Sequence, residues 1–151
     1  SIKKIHQKIN IDVLEANVLR KGKPFLGICV GMQVLSEYGF EFEKTKGLGW
    51  IPGETKRLDS KNQVLPHIGW NEIQIISDSK LTQDCNGKEF YFVHSFTNQN
   101  CSKRFEIAKA EYGTSFNAVL GRDNIFGVQF HPEKSQNSGI KLFKNFIDKI
   151  C

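Results

Sequence analysis

The sequence has no long hydrophobic run, few cysteines and no block of like charge. Its longest apolar stretch, from Pro24 to Leu35, is too short and too interrupted by glycine to span a bilayer, which excludes a transmembrane segment. The first residues, Ser1-Ile2-Lys3-Lys4-Ile5-His6, lead into a charged, periodic segment without a continuous apolar core. No signal peptide is expected from them, and the cytoplasm is the default compartment. The four cysteines, Cys29, Cys85, Cys101 and Cys151, are scattered and form no Cys-x-x-Cys pair, so neither a zinc ribbon nor a thioredoxin-type centre is expected. They read as reduced thiols. Lysines and arginines outnumber acidic residues 21 to 16, a net charge of +5, yet basic residues never run longer than two. That balance fits an acidic partner face or an anionic substrate as well as a nucleic acid, and no nucleic-acid-binding motif supports the latter.

What is present describes one globular domain over residues 1–151. A chain of 151 residues should bury roughly 70% of its unfolded surface. It needs no disulfide or structural metal to fold, and 39% hydrophobic against 25% charged residues is an ordinary soluble composition. From Ile2 to Leu19, apolar residues recur at helical spacing (Ile2, Ile5, Ile9, Val13, Leu14, Val18), and Lys21-Gly22-Lys23-Pro24 supplies a C-cap and a stop. Pro24 to Cys29 is a continuous apolar run, the pattern of a strand buried on both faces of a parallel sheet. Gly31 to Tyr38 returns to helical character, so helix, buried strand, tight turn and helix predict an α/β layered fold.

The turn-rich segment Gly47 to Gly53 separates this part from two alternating runs, Trp70 to Ile76 and Phe105 to Tyr112, which predict half-exposed strands. Phe90 to His94 and Ile125 to His131 are dense apolar runs, each ending on a histidine at a strand's carboxyl end. The chain closes on a helical stripe of Leu142, Phe143, Phe146, Ile147 and Ile150, behind capping candidates from Ser135 to Ser138.

Gly27-Ile28-Cys29-Val30-Gly31 lies between the predicted strand and the predicted helix, the context of a nucleophile elbow. Both glycines are expected to relieve crowding at the sharp turn. Cys29 would stand at a helix N-terminus, where backbone N–H groups favour a thiolate, and the N–H of Val30 would serve as an oxyanion-hole donor. The alternative is an inert cysteine in a core strand. In His131-Pro132-Glu133, Pro132 holds His131 extended, and positions i and i+2 of an extended segment share a side, so Glu133 can orient the imidazole. Cysteine, histidine and acid together provide the logic of covalent acyl transfer. A chance His-x-Glu is the competing reading. No third ligand has metal-site spacing, so no metal and no cofactor are expected.

Lys23 to Gln33 together with Gly127 to Glu133 resembles the signature pair of the class I (triad) glutamine amidotransferases. Pro66-His67-Ile68-Gly69-Trp70-Asn71, Tyr91 to Phe96, and Trp50 near Gly47-Leu48-Gly49 are similar to the glutaminase subunits of imidazole glycerol phosphate synthase within that family. The resemblance implies a three-layer, flavodoxin-like fold with a mixed central sheet, and hydrolysis of glutamine to glutamate and ammonia through a Cys29 thioester. It implies that His131 and Glu133 complete the triad, that Gln33, Glu41 and the backbone of His94-Ser95-Phe96 hold the amino-acid head, and that Trp70 and Tyr91 lie near a (β/α)₈-barrel cyclase subunit. Buried aromatic packing is the other reading of those two rings. Where the family often has tyrosine after the His-Ser pair, this chain has Phe96, so that hydroxyl is lost.

The family also places a Pro-Gly-rich oxyanion strand upstream of the first helix, whereas this sequence begins at that helix with Ser1, so the fold is expected to be incomplete at its N-terminus. Loss of one oxyanion donor costs about 3 kcal/mol in comparable acyl transfer. The competing functions are a paralogous glutaminase feeding another acceptor, such as a surface-polysaccharide sugar, and a catalytically silent partner-binding domain.

Overall fold

Two of the dense apolar runs of the chain pair with each other across about a hundred residues. In the computed structural model, which describes residues 7–151, strand β1 (Phe25–Ile28) lies parallel to β11 (Ile125–Val128), with Gly27 opposite Gly127 and Ile28 opposite Val128. The sheet continues antiparallel through β10 (Thr114–Arg122), β9 (Glu106–Tyr112) and β6 (Gln74–Ile75), in the order β1-β11-β10-β9-β6. A second sheet, β3-β2-β4-β8, joins Thr45–Lys46, Tyr38–Gly39, Glu54–Arg57 and Phe96–Gln99. A two-stranded ribbon pairs β5 (His67–Glu72) with β7 (Glu89–His94). The architecture is α/β with mixed sheets, as expected.

Period-two alternation sorts the main sheet into two cores. Phe126 and Val128 point to one core with Phe90, Phe92, Phe130 and Leu142 of the C-terminal helix. Phe25, Leu120 and Ile125 point to the other, with Val18, Met32, Leu35, Trp50 and Ile51. On this second side sits α2 (Val30–Gln33), directly over the paired glycines. A Cβ on Gly27 would overlap the backbone carbonyl of Gly31, and one on Gly127 would lie 2.7 Å from Met32 Cγ. Two glycines opposite each other on neighbouring strands therefore let the helix rest on bare backbone. Gly31 differs from the expectation: a Cβ there would meet open space, so the close packing at the turn rests on Gly27 alone.

Several predicted elements are shorter than the sequence pattern. The expected first helix is interrupted: Asn10 leaves the helical conformation and its Oδ1 accepts the Val13 N–H at 3.2 Å, starting α1 (Ile11–Glu15), which passes into a π-helical turn, Ala16–Arg20. An Asn side chain is a strong N-cap, and here that local bond overrides the apolar periodicity. Val18 is buried as predicted, but Val13 is 56% exposed, while Ile2 and Ile5 lie outside the described residues. Gly22, at φ 67°, ends this segment as expected. Residues 31–38 give a helix of four residues and then strand β2, because the chain turns back to pair with β4.

β1 is buried less than a two-faced central strand would be, since only Gly27 of its four residues is fully buried. The run Trp70 to Ile76 breaks at Ile73, whose side chain is fully buried between β5 and β6. The closing helix, α3 (Gln136–Lys149), forms as predicted, with Leu142 buried and Phe146 and Ile150 packed on the core; Ile147 is 63% exposed. Ser135 stands at its N-cap without using its side chain as a cap, because the hydroxyl binds elsewhere.

Candidate active site

Two parallel neighbours deliver the site. Cys29 leaves β1 one residue past Ile28, and His131 leaves β11 three residues past Val128, its registered partner, so both emerge at the same carboxyl edge. Cys29 has φ 51° and ψ −105°, a conformation a non-glycine residue adopts only under constraint. Its N–H is held by the Val128 carbonyl at 2.8 Å, and its own carbonyl accepts from Met32 and Gln33 as α2 begins. The sharp strand-to-helix turn predicted from the five-residue motif is present, with Cys29 at its apex.

The electrostatics differ from the expectation. Burial raises the Cys29 thiol above its ordinary pKa, outweighing the Val30 N–H and Gln129, which favour the thiolate; the charge of Glu133 pushes the same way as burial. Strand β7 contributes to this burial, bringing the Val93 carbonyl to 3.7 Å from Sγ. The thiol is thus neutral at rest and needs a base. Among the described residues the hydrogen-bond neighbours of Sγ are the Val93 carbonyl, Gln129 Nε2 and the Val30 N–H, and the His131 imidazole is not one of them.

His131 Nδ1 lies 2.7 Å from Glu133 Oε1, so a proton on Nδ1 is directed at the carboxylate and Nε2 is left as the acceptor. The contact forms by another route than alternation along an extended strand. His131 is extended, but Pro132–Lys134 is a 3₁₀ turn that swings Glu133 back toward the ring. The backbone of His131 is clamped to β7: its N–H donates to the Tyr91 carbonyl at 2.8 Å, and its carbonyl accepts from Ser135 Oγ at 2.7 Å.

The remaining predicted residues separate. Gln33, partly exposed, donates from Nε2 to the Phe96 carbonyl at 3.0 Å, which brings together the two segments expected to hold an amino-acid head. The Ser95 carbonyl is occupied by the Leu58 N–H. Glu41 is exposed in the turn after β2. The His94 side chain turns away into the core, with Nδ1 3.0 Å from the Phe96 carbonyl and Nε2 3.0 Å from His67 Nδ1. Burial lowers the pKa of both imidazoles to about 4, which keeps them neutral.

Trp70 and Tyr91 are cross-strand partners with ring centroids 5.8 Å apart. Trp70 is 44% exposed and Ile68, two residues away on the same face, 58%. Core packing alone does not account for that face. Two residues without an assigned role in the sequence reading, His67 and Gln129, are buried within the polar network of the site. Both stand inside the motifs Pro66 to Asn71 and Gly127 to Glu133, which is where a signal for them existed.

Among the described residues no group of three His, Cys, Asp or Glu side chains could hold a metal ion, and no helix is long and apolar enough to cross a membrane.

Comparison with known proteins agrees with this geometry. Residues 5–150 match the glutamine amidotransferase class-I family. The chain is 49% identical to imidazole glycerol phosphate synthase subunit HisH 1 of Campylobacter jejuni, over 90% of this chain and 68% of that protein. It is 43% identical to subunit HisH 2 of Vibrio vulnificus, over 99% of this chain and 71% of that protein. Among solved structures, a glutamine amidotransferase from Thermotoga maritima superposes with a TM-score of 0.59 at 21% identity, covering 91% of this chain and 52% of that one. Another crystal structure of a glutamine amidotransferase superposes with a TM-score of 0.67 at 12% identity, covering 91% and 66%. These two likenesses concern the fold.

Proposed function

The chain belongs to the class I glutamine amidotransferases, and from that premise we propose that it is the glutaminase subunit of an imidazole glycerol phosphate synthase, a cytoplasmic enzyme of histidine biosynthesis. The observation that carries the reading is the constrained Cys29 elbow at the same sheet edge as the His131–Glu133 pair.

In this reading His131 Nε2 takes the proton of the buried thiol as Sγ attacks the carboxamide carbon of glutamine. The oxyanion is received by the Val30 N–H. Collapse of the tetrahedral intermediate breaks the C–N bond, and His131 returns its proton to the departing nitrogen, giving ammonia and a γ-glutamyl thioester on Cys29. Water, deprotonated by His131, then releases glutamate and restores the thiol. Glu133 keeps the ring in the tautomer that leaves Nε2 free. Gln33 and the backbone of His94-Ser95-Phe96 hold the substrate's amino-acid head, with Glu41 as the partner of its α-ammonium; the carbonyls of Ser95 and Phe96 are already bonded within the protein. Raising the resting thiol by burial has a functional consequence, since no exposed thiolate waits to be oxidised before substrate and base are in place.

Ammonia must leave without meeting bulk water. The apolar face of Ile68, Trp70 and Tyr91 lies on the ribbon whose β7 carbonyls touch both Cys29 and His131, so a barrel cyclase docked there covers the exit. Trp70→Ala is expected to weaken association with that cyclase about 30-fold, the loss typical of a central aromatic anchor, as read by titration calorimetry. Unchanged affinity would place the interface elsewhere.

Incubation with a glutamine-like chloroketone tests the glutaminase reading. One covalent adduct is expected, on Cys29 alone. Burial raises the thiol pKa of Cys85 and of half-buried Cys101 as it does that of Cys29, and Cys151 is exposed, so labelling spread over the cysteines would mean that no glutamine site guides the reagent. Absence of any adduct would favour a catalytically silent domain.

A further inference from the structure

Gln129 is fully buried between the nucleophile and the rest of the polar network, and its Nε2 lies 3.8 Å from Cys29 Sγ. A carboxamide can present either its N–H or its oxygen to a sulfur, and the two choices have opposite effects on a thiolate. The surrounding atoms decide between them.

Two backbone carbonyls, which can only accept, fix the order. At one end Asn71 Nδ2 lies 2.7 Å from the Glu111 carbonyl, which makes that atom the donor nitrogen; its other hydrogen faces His67 Nε2 at 3.5 Å. At the other end His94 Nδ1 lies 3.0 Å from the Phe96 carbonyl and must carry its proton. His94 is neutral, so its Nε2 is a lone pair, and the proton in the 3.0 Å contact between the rings belongs to His67 Nδ1. That leaves His67 Nε2 to accept from Asn71, in agreement with the first end.

The Phe96 carbonyl also accepts from Gln33 Nε2 at 3.0 Å, and the second hydrogen of that nitrogen faces Gln129 Oε1 at 3.5 Å. With its oxygen taken, Gln129 has only its N–H to turn toward Sγ.

We propose that Gln129 is a further catalytic residue, donating an amide hydrogen bond to the Cys29 thiolate from an orientation imposed by Gln33, which the Phe96 carbonyl fixes in turn and which acts as a positioning residue. The proposal rests on the reading of Cys29 as nucleophile. It assigns opposite parts to the neighbours of the sulfur: the Val93 carbonyl accepts from the resting S–H, while Gln129, with the Val30 N–H, holds the anion once His131 has taken the proton. Val93 O and Gln129 Nε2 thus form a switch in which the proton's departure changes the sulfur's partner without any backbone movement.

The test follows the rate at which iodoacetamide alkylates Cys29 in the full chain as a function of pH, with the site located by peptide mass spectrometry. Gln129→Met keeps the buried volume and removes the donor. Its alkylation midpoint is expected to rise by about one pH unit, with a rate at pH 7.5 about tenfold below that of the parent. An unchanged profile overturns the proposal. A second variant tests the orientation: Gln33→Leu removes the donor to Gln129 Oε1 and frees the amide to turn, so the Cys29 alkylation midpoint is expected to rise in the same direction by a smaller amount, and a midpoint that stays or falls overturns the part given to that donor. Because alkylation does not require glutamine, a shifted profile without chloroketone labelling would sink the glutaminase reading alone, and labelling with an unshifted profile would sink the role of Gln129 alone.

Discussion

A Cys29→Ser chain is expected to keep its fold and to lose glutamine hydrolysis by at least about 10³-fold, measured as glutamate released in the presence of the barrel cyclase. The serine can occupy the same φ of 51°, since the constraint comes from β1, Gly27 and the α2 turn rather than from sulfur, so the thermal midpoint should move by no more than about 2 °C. What is lost is chemistry, because a hydroxyl is a far weaker nucleophile than a thiolate at neutral pH. His131→Asn should cost a similar factor, and the double variant little more than either alone, as residues that act as one unit are not additive. Glu133→Gln should cost less, about tenfold: its side chain is 47% exposed, so water already screens its hold on the imidazole. A serine variant that retained more than a tenth of the parent rate would mean that ammonia is released by another group.

The site was more legible in the sequence than the path of the chain around it. Cys29 and His131 could be read because each sits beside residues whose shape is decided locally: Gly27 before a turn that admits no side chain, and Pro132 after a histidine it holds extended. Their meeting depends on one long-range fact, the parallel pairing of β1 with β11, which neither apolar run states by itself. The protonation state of Cys29 was misread for the complementary reason. It is set by burial, to which β7 brings the Val93 carbonyl, and nothing near Cys29 in the sequence announces a strand sixty residues on.

The same distinction separates the helices. The C-terminal stripe was found because its apolar residues meet a core, whereas the first helix is divided by one asparagine whose side chain bonds its own backbone, a local event that periodicity passes over. His94 shows the limit most clearly. Its backbone is the part the resemblance gives to the substrate, and the sequence says nothing of its ring: the antiparallel register that sets it opposite His67 turns the ring inward, and register between β5 and β7 is not written in either strand alone.

That buried pair makes stability depend on pH in a window where surface groups contribute little. Each imidazole has its pKa lowered from 6.5 to about 4, chiefly by burial, with the neighbouring histidines, including His131, opposing a charge on His94. Between these values the unfolded chain binds two protons that the folded chain refuses, so stability is fully present above pH 6.5 and falls as pH drops toward 4. The slope expected is about 2.7 kcal/mol per pH unit in mid-window, from about 1.4 for each proton. The carboxylates with lowered pKa, Glu54, Asp59 and Asp84, are exposed, and they titrate at the acid end of the window and below it.

His67→Phe isolates the effect. The His67 ring is stacked on Tyr112 with centroids 4.1 Å apart and on Phe92 at 5.0 Å, so a phenyl ring fits the slot, although it leaves His94 Nε2 without a donor. At pH 7.5 that unmet lone pair should cost about 1 to 3 kcal/mol. Toward pH 5 the difference should close and then reverse, because the variant has one proton fewer to exclude and its slope is halved. Urea titrations from pH 4.5 to 7.5 measure both quantities, and parallel stability curves for parent and variant would show that the pair is not held neutral by the fold.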